Sequence, residues 1–224
     1  MLNLLYQQII REILIRYRNL RATYNAALFF IMIVTVFPLT MPPNSAIIHT
    51  ITPGIIWIAM LFAIFLSSER IFSQDYEDGI IEQWLISGLP ITIMIIAKLM
   101  IHCLINIIAI IIISPLLAIL FQLNLHELIL ISITLIIGMP GILSFCALSE
   151  VFSTGLKQKN IIMAIIILPF SIPLLILGSE TINQILMHQK IISNLIFITA
   201  FSIITFSFIP FAIAGVIRIC LNDN

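Results

Sequence analysis

The acidic residues of this chain are concentrated between residues 69 and 90, in the segment ERIFSQDYEDGIIEQWLISGLP. This segment holds five of the chain's ten acidic residues: Glu69, Asp75, Glu77, Asp78 and Glu82. In a helix, steps of four residues place one largely aromatic set on a single side: Phe72, Tyr76, Ile80 and Trp84. Asp75, Asp78 and Glu82 then lie on the opposite side. The pattern predicts an amphipathic segment with acids outward, which suits either a solvated loop or a docking element for a soluble partner.

Gly79 is expected to divide this segment into two short helices, and Gly88 with Pro90 to end the second one. Beyond the segment, Lys98 and His102 are four residues apart, so they share one face of a helix. Ionisable residues within an apolar run are functional candidates. The pair also fits side chains that reach a membrane interface by snorkelling.

The remaining reactive residue types form no catalytic pattern. The histidines fall in four different segments, at His49, His102, His126 and His188. The chain contains no H-E-x-x-H motif, no Ser/His/Asp arrangement and no Walker A sequence, so it does not bind ATP by that route. The cysteines form no zinc spacing or haem-attachment motif and are expected to be small buried hydrophobic residues: Cys103, Cys146 and Cys220.

The composition indicates a chain that lies in lipid. Hydrophobic residues make up 61% of the 224 residues, charged residues only 9%, and the mean hydropathy is +1.21. Soluble domains are nearer half apolar and a quarter charged, so there is too little polar surface here to face water. The net charge is zero, so the chain lacks the excess of positive charge that favours binding to nucleic acid.

Six apolar runs are long enough to cross about 30 Å of hydrocarbon. They cover residues 22–41, 53–68, 91–120, 128–149, 161–177 and 194–217. The predicted fold is therefore an all-α polytopic membrane protein. Its parts are an interfacial N-terminal segment (1–21), a six-span domain (22–217, with the loop 69–90) and a tail (218–224).

Basic residues predict the orientation of these spans. Nine of the ten fall on one side: Arg11, Arg16, Arg18, Arg21, Arg70, Lys98, Lys157, Lys159 and Arg218. Only Lys190 falls on the other. The positive-inside rule then places both chain ends and the loop 69–90 in the cytoplasm or matrix. Acids in this loop lie where bases are preferred, which favours docking over simple solvation.

Several stretches in combination resemble the CcmB family. They are FPL (37–39), ITPGIIW (51–57), SQDYEDGIIEQW (73–84), LP (89–90), AKLMIH (97–102), SPLLA (114–118), TGLK (154–157) and LPFSIPLLI (168–176). The match covers nearly the whole chain. It departs from the family pattern at Trp84, where an aliphatic residue is expected, and in its isoleucine bias.

The resemblance implies a membrane (permease) subunit of an ABC-type complex in cytochrome c biogenesis, with six spans and both ends inside. Such a subunit is not an enzyme, because a separate CcmA-like subunit would hydrolyse ATP. The docking residues on a coupling helix would be Asp75, Tyr76, Glu77, Asp78, Gly79 and Glu82. A non-transporting scaffold, or a permease for another cargo, remains an alternative.

The resemblance also implies partners and a location. CcmC-like and CcmD-like membrane proteins would join the complex, a CcmE-like haem chaperone would act with it indirectly, and two copies of this chain would form its core. Haem would be a cargo of the complex, and no histidine is assigned as its ligand. The membrane would be a bacterial inner membrane or a mitochondrial inner membrane.

Overall fold

The computed structural model describes residues 2–18, 21–40, 46–86, 88, 90–154 and 159–222. Within these ranges the chain is helical and contains no β-strand. The helices are α1 (Leu2–Arg18), α2 (Arg21–Thr40), α3 (Ala46–Ser68), α4 (Ser73–Glu77), α5 (Ile80–Ile86), α6 (Ile91–Phe121), α7 (Leu125–Ser153), α8 (Lys159–Leu186) and α9 (Ile192–Asn222).

Six of these helices, α2, α3 and α6 to α9, are long and apolar enough to cross a membrane. At 1.5 Å per residue, even the 20 residues of α2 reach about 30 Å. The prediction of a polytopic all-α membrane protein with six spans is confirmed. Because the spans alternate in direction, residues 12, 21, 75, 98, 150 and 222 lie at one end of the bundle, which we call the loop face.

The fifth span is longer than predicted. The apolar run ends at residue 177, but α8 continues to Leu186. The hydroxyl of Thr181 donates a 2.7 Å hydrogen bond to the backbone oxygen of Leu177, so a polar side chain is accommodated without interrupting the helix. Polar residues marked the end of the apolar run but not the end of the helix.

The core is built around Trp57 of α3, which is fully buried. Its ring lies between Gly138 of α7 and Gly178 of α8. A Cβ atom at Gly138 would lie 2.3 Å from the ring, and one at Gly178 would lie 2.0 Å from it. Both positions therefore require glycine, which lets the three helices close around the tryptophan.

The outer surface of the bundle is apolar, as expected for helices whose solvent is lipid. Large exposed side chains occur along every span, for example Met32, Phe62, Ile112, Ile165 and Phe208. Helix α1 packs against α6. Its side turned away from the bundle is also apolar, with exposed Tyr6, Ile10, Ile13 and Leu14.

Cys103 and Cys146 are buried, which confirms their prediction as interior residues. The side chain of Cys220 lies outside the described residues, as do those of His49, Lys157 and Lys159. His126 and His188 are exposed at the end of the bundle opposite the loop face. His102 is therefore remote from both of them.

Candidate functional site

The loop between α3 and α6 has one buried side and one exposed side. Gly79 has a φ of +67°, which separates α4 from α5 and confirms the predicted division. Gly88 also has a φ of +67° and follows the end of α5. Phe72 and Trp84 are buried, and Tyr76 packs against the same core. The aromatic side of the loop thus faces the protein, as predicted.

The predicted outward position of Asp75 is wrong. Asp75 is only 5% exposed, whereas Glu77, Asp78 and Glu82 are exposed. Asp75 and Asp78 both precede Gly79, so the break in the helix does not separate them. Asp75 lies on the buried side of α4 because its partner, Lys98, is on α6, and the spacing within the loop does not reveal that partner.

Asp75 is turned inward by Lys98 of α6. Lys98 is 5% exposed, and its ammonium donates to the Asp75 carboxylate and lies 3.7 Å from the carboxylate of Glu12 on α1. The rings of Phe72 and Trp84 are 5.8 and 5.9 Å from the same nitrogen. A buried ammonium is tolerated only with such partners. Lys98 is therefore held inside the protein by these partners.

Glu150 of α7 holds the start of α4. Its two carboxylate oxygens accept the backbone N–H groups of Phe72 at 2.7 Å and Ser73 at 2.9 Å. Phe72 is the N-cap residue and provides no side-chain cap of its own. A carboxylate from another helix therefore satisfies N–H groups that α4 leaves unpaired, and its charge suits a helix N-terminus.

Arg16 of α1 completes what we call the five-charge cluster: Glu12, Arg16, Asp75, Lys98 and Glu150. Burial lowers the pKa of the Arg16 guanidinium below its usual value, and the charges of Glu12, Glu150 and Asp75 act in the opposite direction. The cluster contains three carboxylates and two cations. It joins α1, α4, α6 and α7 at the loop face.

His102 lies one helical turn beyond Lys98, on the same side of α6 as predicted, and is fully buried. Its Nε2 is 3.1 Å from the hydroxyl of Ser67 and 3.5 Å from that of Ser68, both at the end of α3. Among the described residues its Nδ1 has no hydrogen-bond partner. No three His, Cys, Asp or Glu side chains in the described ranges are arranged to hold a metal ion.

Comparison with known proteins identifies the family. The family model for CcmB protein matches residues 3–220. The chain belongs to the CcmB family. Proteins named heme exporter protein B are similar over almost their full length. The Pseudomonas aeruginosa protein is 32% identical over 213 residues, which cover 95% of this chain and 96% of that protein.

The same description holds for two other bacterial relatives. The Haemophilus influenzae protein is 30% identical, and its alignment covers 95% of this chain and 96% of that protein. The Escherichia coli K12 protein is 31% identical, with 94% and 96% covered. The resemblance seen in the sequence motifs is confirmed, and the chain is a multi-pass protein of a family found in bacterial membranes.

Sequence reasoning missed Glu12, Arg16 and Glu150 as members of the site. A signal was present for two of them. Glu12 is the only acid in the basic segment 1–21, and Glu150 ends a long apolar run. A lone carboxylate next to a membrane span calls for a partner. The sequence alone does not reveal that the partners of Glu12 and Glu150 lie in or beside the acidic loop, because these contacts form only when four helices pack together.

Proposed function

We propose that this chain, the membrane subunit of a haem-export and cytochrome c maturation system, is driven by a separate ATP-binding subunit that docks on α4 and α5. The observation that carries the proposal is the two-sided structure of this loop. Its outward side presents Glu77, Asp78 and Glu82, while its inward side is anchored by buried groups. An acidic surface on a fixed base suits a soluble partner with a basic groove.

The anchoring explains how movement of the partner would reach the spans. A partner can shift this chain between states only through contacts that differ between those states. Asp75 connects α4 to α6 through Lys98, and Glu150 connects the start of α4 to α7. A displacement of α4 therefore acts directly on two membrane helices.

The charge distribution supports a cytoplasmic position for this loop face in a bacterial inner membrane. ATP hydrolysis would then belong to the partner, and this chain would be a non-enzymatic subunit. The family resemblance supports CcmC-like and CcmD-like neighbours, an indirectly acting CcmE-like chaperone and a second copy of this chain. Haem is the cargo of the complex in this proposal, and none of the histidines is assigned to its ligation.

The test is co-purification of a tagged triple variant, Glu77→Lys, Asp78→Lys and Glu82→Lys. These side chains are exposed, so their reversal leaves the buried cluster intact. Glu180→Lys is the matched control, because Glu180 is also exposed but lies near the opposite end of the bundle. We expect the triple variant to reach the membrane in normal amounts and to lose the ATP-binding subunit, while the control retains it.

Co-purification of the triple variant at the wild-type stoichiometry would refute docking on this surface. The rate of ATP hydrolysis by the purified complex distinguishes a transporter subunit from a passive scaffold. If this chain is a coupled transporter subunit, the rate should fall when α4 and α5 are altered. Unchanged turnover in an otherwise assembled complex would favour the scaffold.

A further inference from the structure

A cavity of about 420 Å³ lies beside the five-charge cluster at the loop face. Its walls come from α1, the start of α2, the end of α3, and α4 with the adjoining residues. Four basic side chains line it: Arg16, Arg21, Arg70 and Lys98. Three acidic side chains also line it: Glu12, Glu69 and Asp75. The lining therefore carries an excess of one positive charge.

The basic side chains of the wall are not equivalent. Lys98 is paired with Asp75 and Glu12, and the part-buried Arg16 is influenced by the negative charges of Glu12, Glu150 and Asp75. Arg21 and Arg70 are exposed, and within the described ranges no ion pair to a carboxylate is found for either of them. These two guanidinium groups are available to a ligand that enters the cavity from outside.

The cavity also offers neutral donors. Asn25 and Gln74 line it and carry side-chain amides. Helix α2 begins at Arg21, and its next residue, Ala22, lies on the same wall. The first N–H groups of a helix lack intrahelical partners and favour negative charge. Guanidinium groups, amides and a helix start together suit phosphate oxygens, and arginine binds phosphate with two parallel hydrogen bonds.

The position of the cavity indicates where such a phosphate would come from. Its wall includes Arg21, where the first span begins, and Glu69, just past the end of α3. This is the depth at which the hydrocarbon ends and lipid headgroups begin. The exposed apolar side chains on the far side of α1 place that helix in the same interface.

We propose that this cavity binds the phosphate of an anionic phospholipid, with Arg21 and Arg70 as its ligands. The bound lipid would hold α1, the start of α2 and the end of α3 together beside the five-charge cluster. This site is independent of the docking surface on α4 and α5, which faces outward through other residues.

Native mass spectrometry of the full chain, delipidated in detergent, tests the site with three probes: phosphatidylglycerol, phosphatidylcholine and inorganic phosphate. The variant is Arg21→Gln with Arg70→Gln. Arg218→Gln is the matched control, because Arg218 is exposed at the same face but does not line the cavity. Losing two charge-assisted contacts should lower the occupancy by phosphatidylglycerol about tenfold or more.

Preferential binding of phosphatidylglycerol to the wild type and the control, with loss in the double variant and an unchanged melting temperature, supports the proposal. Wild-type occupancy in the double variant would overturn it. Binding of inorganic phosphate as tightly as phosphatidylglycerol would assign the site to a soluble phosphate and would overturn the lipid assignment.

Discussion

Replacing Asp75 with leucine removes the carboxylate that is nearest to Lys98 and leaves the ammonium buried. Lys98 is 5% exposed and lines the cavity at the loop face, so water that enters this cavity replaces the lost carboxylate only in part. The carboxylate of Glu12 remains at 3.7 Å, and two aromatic rings remain within 6 Å of the nitrogen. The single change should therefore be costly, while the remaining contacts limit the loss.

Removing one partner of a buried ion pair costs about 3–5 kcal/mol in the free energy of unfolding. Because Glu12 and the rings remain, we expect the lower end, about 3 kcal/mol, for Asp75→Leu. In a chain of this length that corresponds to a fall in melting temperature on the order of 10 °C. Replacing both charges, Asp75→Leu with Lys98→Met, should cost only about 1 kcal/mol, since apolar groups of similar volume often replace a buried pair without loss.

The assay is denaturant unfolding in detergent, followed by tryptophan fluorescence, because Trp84 lies beside Lys98. Glu82→Leu is the matched control: it is the same type of change at an exposed acid of the same loop, and it should stay within about 0.5 kcal/mol of the wild type. Lys98→Met alone should also cost about 3 kcal/mol, because it leaves the carboxylates of Asp75 and Glu12 buried without their cation. A double-mutant cycle should therefore give a coupling energy of about 5 kcal/mol. If the two single changes simply add, the ion pair does not hold the loop and the reasoning fails.

Two further changes probe the packing around the site. Glu150→Gln keeps the shape of the side chain but removes the negative charge of the carboxylate that accepts the first N–H groups of α4. We expect faster amide hydrogen exchange confined to α4, with a local loss of stability of about 1–2 kcal/mol. Unchanged exchange in α4 would contradict the capping role of Glu150. Gly178→Ala forces a Cβ into the ring of Trp57 and should lower stability by about 3 kcal/mol in thermal unfolding, whereas Gly215→Ala, which meets open space, should have little effect.

The six spans could be predicted from the sequence because their signal is local. An apolar run of about 20 residues has few alternatives to a membrane helix. The break at Gly79 was equally local, since glycine readily adopts the positive φ found there. The end of the fifth span does not follow from the apolar run, because polar residues near residue 180 end the run, whereas helix α8 accommodates them and continues to Leu186.

The candidate site was predictable only in part, because its geometry depends on distant segments. The amphipathic acidic loop and the shared helix face of Lys98 and His102 could both be predicted from the spacing of residues in the sequence. The inward position of Asp75 depends on Lys98 being 23 residues away in the sequence yet in contact through the fold. The role of Glu150 depends on a contact across 78 residues. No periodicity within one helix contains that information.

The five-charge cluster is better explained as a means of positioning α4 and α1 than as a means of stabilising the helix bundle. Buried ion pairs are often replaceable by apolar residues at no cost, so three carboxylates and two cations are a poor means of stabilising a membrane bundle. Their geometry is specific, however, because each carboxylate must meet a particular donor. Glu150 fixes the start of α4, while Asp75 and Glu12 meet at Lys98. The cluster therefore determines where α4 and α1 sit on the spans, and that is the property a docking loop needs if it is to move them.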